Sequence, residues 1–300
     1  MRAFTWFVPL LMGWIASLPL WSECPSSYPY LSGQTWRHAC PWRLTPSDTF
    51  DPVQCSRGDA IYVSHERIDD FRKDYLPKLG VPVVLVSANI GDRADESLPM
   101  EHIDLLNDPR IGAWFLQNWD GQPHEKIVPI PLGLANRDWG HGCIETLEQV
   151  SRQSAHRIKQ PKVLVQFQPS TSPGVRIPVY EFLKEQPWVF LQKRVPYRQY
   201  LENITRFQFV ACPPGNGLDT HRCWETLYCR SIPIVIKNSL SCLYEQLPVL
   251  QIEAWEQLNE RFLAQALHRI REQPVDWSRI YAPYWLEKLH SRQRQVRESQ

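Results

Sequence analysis

Short apolar runs alternate with amphipathic stretches along this chain, and they do so in two series. The first begins after Gly58. DAIYVS (59–64) reads as a strand and HERIDDFRKDYLPKL (65–79) as a helix. VPVVLVSAN (81–89) is continuously apolar, the pattern of a strand buried on both faces. LLNDPRIGAWFLQNW (105–119) reads as a helix pair around Pro109. KIVPIPLGLAN (126–136) must be extended, because its prolines forbid a regular helix. A polar helical stretch, CIETLEQVSRQSAHRIKQ, stands where a linker would. The second series follows: strand KVLVQFQ, a helix around VYEFLKEQ, strand VFLQKR, helix YRQYLENI, strand RFQFVAC, a short helix, strand IPIVIK, short strand VLQI and helix AWEQLNERFLAQALHRIREQ. Strands alternating with helices imply parallel sheets covered by helices. The expected fold is α/β, with two Rossmann-like halves (58–158 and 159–275) facing a cleft. A loop-rich, Cys/Pro-rich segment (23–57) precedes them, and a helical tail (276–300) follows.

The ends set the compartment. Residues 3–22 carry no charge, and about 18 apolar residues as a helix reach roughly 27 Å, just short of a bilayer core. The length fits a cleaved signal peptide, although Leu20-Trp21-Ser22 is a poor cleavage site. The poor site fits an uncleaved type II anchor, possible membrane attachment running through residues 4–21, although Pro9 and Pro19 weaken it. Either reading exports the body, to the secretory pathway (Golgi or ER lumen, anchored or secreted) or a bacterial cell envelope, not the cytoplasm. The eight cysteines all follow this segment, so some disulfides are expected, with Cys24, Cys40 and Cys55 the favoured bridge formers. Net charge is +1, from 33 basic and 32 acidic residues evenly mixed, which gives little drive toward nucleic acid. The basic tail from His290 reads as a solvated helix end.

The densest cluster of chemistry is ACPPGNGLDTHRCWETLYCRSIPIV (211–235), a strand end, a glycine loop, a short helix and a second strand. Ligands of parallel sheets bind at the carboxyl ends of strands, which is where the loop Gly215-Asn216-Gly217 falls. On a helix from 220 to 230, Arg222, Glu225, Thr226 and Cys229 share one side, and Trp224, Leu227 and Tyr228 the other. Asp219 or Thr220 can cap the helix, and the glycines let the backbone approach a ligand closely. A first helical turn attracts an anion by about 0.3–1 kcal/mol, and an Arg one turn in adds a planar fork of donors for phosphate. Glu225 suits a pair of hydroxyls such as a ribose. Together they describe a nucleotide diphosphate. The alternative is an Arg222–Glu225 surface pair at i,i+3, worth a few tenths of a kcal/mol.

Gly215-x-Gly217-x-x-Thr220 also nearly spells a dinucleotide fingerprint. Against it stand the third position, Thr, the Pro213-Pro214 interruption, and a next strand ending in Lys237-Asn238 with no acid for a ribose. Lys237 would suit the phosphate of NADP, which keeps an NADP-dependent oxidoreductase as a third reading.

FVACPPGNGLDTHRCWETLYCRSIPIVI resembles the C-terminal half of exostosin-like glycosyltransferases, whose pattern is an apolar strand, Pro-x-Gly, Arg-x-x-Glu and a Cys-or-Ser-Ile-Pro strand. Pro213/Pro214-Gly215, Arg222-x-x-Glu225 and Ser231-Ile232-Pro233-Ile234-Val235 match it in order, over roughly 206–255. The resemblance implies a GT-B fold and transfer of a sugar from a UDP- or GDP-sugar to a glycan or glycoconjugate. Arg222 would neutralise the departing diphosphate and Glu225 would contact the nucleotide ribose. Many members carry a basic residue where Pro214 stands, which opens the second reading, an inactive glycan-binding protein on the same scaffold.

No cofactor is expected, the nucleotide sugar being substrate. The chain has no Asp-x-Asp motif, so no metal site is expected, and Arg, backbone N–H groups and a helix dipole must meet the diphosphate charge. Inverting transfer needs a general base. His65, after DAIYVS, and His141, in NRDWGHG, are the candidates, with Asp219 behind them; each also has a reading as a hydrogen-bonded structural residue. Asn89 could bind the acceptor or simply end its strand.

Overall fold

The computed structural model describes residues 27–88 and 100–299. The expected signal or anchor, Cys24 and Asn89 lie outside the described residues. Among those described, no helix is long and apolar enough to cross a membrane.

Two parallel five-stranded sheets form the frame. The first comprises β1 (Trp42–Leu44), β2 (Ala60–Val63), β3 (Val83–Ser87), β4 (Ile111–Gln117) and β5 (Ile127–Ile130), in the order β1-β2-β3-β4-β5. The second comprises β6 (Gln160–Val165), β7 (Val189–Leu191), β8 (Phe207–Ala211), β9 (Ile232–Ile236) and β10 (Leu250–Ile252), in the order β10-β9-β8-β6-β7. The helices are α1 (Gly33–Ala39), α2 (Ile68–Asp70), α3 (Ile144–Gln153), α4 (Pro173–Lys184), α5 (Tyr197–Ile204), α6 (His221–Tyr228), α7 (Glu260–Glu272) and α8 (Ala282–Glu298). Two Rossmann-like halves, GT-B-like in layout, thus stand as the alternation implied.

Four local readings are corrected. IGAWFLQ is a strand and not half of a helix pair: its apolar residues are buried on both faces in the middle of the sheet, paired to β3 and β5. A 3₁₀ helix (Met100–Asn107) ends just before Pro109. Residues 65–79 break into 3₁₀, α and π turns, with Phe71 driven into the core. Segment 23–57 is not simply a wrap, since α1 follows a Ser32 cap and β1 joins the sheet, Arg43 opposite Tyr62.

The tail is the fourth. Parallel strands in sequence order, joined by right-handed crossovers, put their connections on one face. α8 supplies cover of its own by returning from the second half to lie on β3 and β4. Leu289 and Val296 are buried there, and Arg57 and Gln293 tie the helix to the loop before β2 (Arg57 Nε to Val296 O, 3.0 Å; Gln293 Nε2 to Gly58 O, 3.0 Å). Gly112 on β4 is the residue beneath Val296.

Strand order decides where a ligand can sit. The first sheet never reverses direction, so it has no crevice of its own. In the second, β6 has β7 on one side and β8 on the other, which is a topological switch point. One apolar core runs from the first half through Trp224 and Leu227 of α6 and on to Leu289 of α8, so α6 is held at the junction of the halves.

Candidate functional site

A cleft of about 990 Å³ opens at that switch point. The second half contributes the ends of β6 and β7, the loop after β8, and α4, α5 and α6; the first half contributes Leu132 and the loop Trp139-Gly140-His141. Arg222 and Glu225 both line it, and so does Gly215-Asn216-Gly217.

No ion pair joins Arg222 to Glu225. Arg222 Nη2 donates to the Gln166 carbonyl (3.3 Å), the guanidinium lies 5.8 Å over the Tyr200 ring, and its Nε is buried without a hydrogen-bond partner among the described residues. The surface-pair alternative is therefore excluded. Glu225 is 4% exposed and accepts from the Tyr200 hydroxyl (2.7 Å), with Tyr197 a further donor. Burial raises its pKa, while the tyrosines and Arg222 oppose the rise. The carboxylate that the resemblance assigns to a ribose thus already holds two protein hydroxyls.

Arg176, which the sequence reading passed over, forms the floor. Its Nε donates to Pro214 O (2.8 Å), and Nη1 to Gln168 O (3.1 Å). Burial and the neighbouring Arg222 hold its pKa down at about 10. This guanidinium explains Gly215: a Cβ there would lie 2.6 Å from Arg176 Nη2. Gly217 is explained likewise, since a Cβ would lie 2.6 Å from Asn118 Nδ2. Both glycines admit the protein's own side chains, and neither adopts a positive φ. The dinucleotide reading loses its loop for that reason. It also loses its cation, because Lys237 is paired with Glu253 at 2.6 Å outside the cleft.

Asp219 is corrected from base to clasp. Oδ2 accepts from Leu132 N (2.9 Å) and Trp224 Nε1 (2.7 Å), and Oδ1 from Thr220 N (2.9 Å) and Tyr244 OH (3.1 Å). With four donors and 2% exposure, no lone pair is left for a substrate proton. Asn118 Oδ1 accepts from Asp219 N (2.9 Å), so a second bond crosses between the halves here. The cap of α6 is Thr220, but neither its side chain nor that of Asp219 caps the helix; Thr220 Oγ1 is itself buried with no hydrogen-bond partner among the described residues. Cys223 N donates to Thr220 O (3.0 Å), which leaves the amides of His221 and Arg222 as the first-turn groups open to a ligand or water.

Of the two candidate histidines, His141 lines the cleft and His65 does not. His65 opens a 3₁₀ turn at the carboxyl end of β2, an inner strand of a sheet with no switch point. His141 is exposed at the mouth, where partial burial and Arg194 lower its pKa. A third histidine, unremarked in the sequence although inside the motif, lies deeper. His221 Nδ1 is 2.8 Å from the Gly133 carbonyl, and its ring centre is 6.3 Å from that of His141. Burial holds its pKa down at about 4.

Three guanidiniums, from Arg176, Arg194 and Arg222, line the cleft, and its two carboxylates are both engaged by the protein. The arrangement is that of an anion site. Among the described residues no three His, Cys, Asp or Glu side chains gather as a metal site. The seven described cysteines are all free thiols, with Cys40 and Cys55 buried, so the expected bridges do not form among them.

What the fold and site define is a GT-B-like α/β protein with a cationic cleft. No protein-family model matches the chain, and no curated protein does. Among solved structures it is similar to UDP-GlcNAc 2-epimerase from Methanocaldococcus jannaschii, at 11% identity and TM-score 0.33, over 79% of this chain and 76% of that one. It is also similar to the GtfA/B complex, at 10% identity and TM-score 0.38, over 82% of this chain and 59% of that one. The chain therefore spans about three fifths of the latter's length. Likenesses this distant say nothing of the site's chemistry.

Proposed function

We propose that this protein is a glycosyltransferase that moves a sugar from a nucleoside-diphosphate donor to a hydroxyl of a glycan or glycoconjugate. The observation that carries the reading is Arg222, a guanidinium with a buried Nε that has no hydrogen-bond partner and no carboxylate in ion-pair contact among the described residues, beside a second buried guanidinium at a switch-point cleft. Such a group needs an anion, and the first turn of α6 adds amides to it. The exostosin-like pattern of 206–255 supplies the finer terms: a UDP- or GDP-sugar, with Arg222 on the diphosphate. The nucleoside lies against the wall from Val195 to Tyr200, and Glu225 acts by fixing Tyr200 and Tyr197. Charge on the leaving group is met by fixed donors in a partly dry cleft, which is electrostatic stabilisation that needs no metal. Export through the N-terminal apolar segment belongs to the same proposal, with the acceptor a secreted or envelope glycan.

Calorimetric titration of the wild type with UDP and GDP tests it. One of them binds, a chelator leaves the binding as it was, and Arg222→Ala weakens it at least 30-fold. A wild type that binds neither, or an Arg222→Ala that binds equally, removes the basis of the proposal.

A further inference from the structure

We propose that His221 is the catalytic base, its Nε2 receiving the proton of the incoming acceptor hydroxyl. The inference rests on the transferase reading and assigns a residue that reading leaves open.

A carbonyl oxygen cannot donate, so the bond between His221 Nδ1 and Gly133 O requires the proton on Nδ1. Nε2 then carries a lone pair. It has no hydrogen-bond partner among the described residues, and the residue lines the cleft. The imidazole is thus oriented and fixed in tautomer by the backbone, as a base must be. His141 has no such bond among the described residues, and Asp219 has no lone pair to offer.

Position argues further. His221 and Arg222 are consecutive on α6, so they diverge by about 100° around the helix. Arg222 reaches toward Gln166 at the end of β6, in the second half. His221 reaches toward Gly133, in the first. A sugar between them meets the diphosphate's anchor on one side and the base on the other. That is the layout of an in-line displacement. The acceptor O–H attacks the anomeric carbon as the bond to the phosphate oxygen breaks, its electron pair leaving with the diphosphate. The hydroxyl proton goes to Nε2. The anomeric centre inverts.

The groups facing His221 set its basicity. Arg222 on its own helix and His141 from the first half both disfavour the imidazolium. Arg194 stands by His141, Arg176 by Arg222, and Asp219, two residues back in sequence, is spent on four donors. The free cleft therefore holds a weak base that is neutral at neutral pH. A bound diphosphate reverses the local field and raises the base's pKa toward the working pH. The donor switches on its own catalyst.

NMR titration of the His221 ring in the full protein, alone and saturated with UDP or GDP, reads this directly. The ring titrates near pH 4 alone and at least one unit higher with nucleotide; no upward movement overturns the proposal. His221→Asn keeps a donor for Gly133 O and removes the base. It retains UDP or GDP binding within about twofold and the wild-type melting temperature, while turnover of the donor falls by about 10²–10⁴-fold. His141→Asn loses less than tenfold. Turnover by His221→Asn within threefold of the wild type overturns the assignment and leaves the transferase reading standing. A wild type that binds no nucleoside diphosphate overturns both.

Discussion

Asp219→Asn separates a clasp from a catalyst, and its cost can be worked from the four bonds. The new amide must put an NH₂ where one oxygen was. At Oδ2 it would meet Leu132 N–H and Trp224 Nε1–H, which can only donate. At Oδ1 it meets Thr220 N–H and the Tyr244 hydroxyl, and the hydroxyl can turn to accept. The amide therefore settles with its nitrogen on that side. Thr220 N–H is then orphaned in a buried site, which costs about 1–3 kcal/mol. The two bonds remaining on the oxygen lose their charge assistance, about 1 kcal/mol each. Burial itself raises the carboxyl's pKa, so removing the charge returns part of this. A net loss of about 2–4 kcal/mol remains, and at about 2–4 °C per kcal/mol for a chain of this size the melting temperature falls by roughly 5–15 °C. Because Leu132 belongs to the first half, the loosened joint is also cut faster by a protease. Scanning calorimetry and timed proteolysis measure the two effects. If Asp219→Asn melts within about 1 °C of the wild type and loses turnover, the carboxylate has slack and the reasoning fails.

Two further outcomes are expected. A histidine buried neutral costs stability as acid is added: His221 titrates at about 4 in the fold against an ordinary 6.5. Its stabilising share is whole above pH 6.5 and is lost as the pH falls toward 4, up to about 3 kcal/mol. The drop in melting temperature from pH 7 to pH 5 is therefore smaller in His221→Asn than in the wild type, and an equal drop contradicts the burial argument. Gly112→Ala places a Cβ 2.6 Å from Val296 Cγ2, an overpacking worth about 1–3 kcal/mol. Adding Val296→Ala restores most of the urea midpoint if α8 really closes the first sheet, and restores nothing if the helix lies elsewhere.

Much of the fold is legible because it is written in short periods. VPVVLVSAN, KVLVQFQ and RFQFVAC mark strands buried on both faces, and the polar helices between them make parallel sheets the economical packing. The misreadings fall where an apolar run suits either state. IGAWFLQ has no period that separates a strand from a buried helix, and only its place between β3 and β5 decides. The Cys/Pro-rich segment hides a strand because β1 is three residues long and gains its meaning from β2.

The sequence by itself determined that strands and helices alternate, that the motif of 211–235 follows a strand, and that Arg222 and Glu225 sit one helical turn apart. These facts depend on neighbours along the chain. The tertiary structure alone decided strand order, and with it which half owns a crevice. It alone set Arg176 under the Pro213-Pro214 loop, 38 residues away from its partner Pro214. It turned Asp219 toward Leu132 across 87 residues and His221 toward Gly133 across 88. No local pattern encodes contacts of that span: the first exists only once β6 and β8 pair in one sheet, and the other two only where the two halves share one core. A carboxylate that reads as a base in sequence can become a strut there, and an unremarked histidine can become the group with a free lone pair.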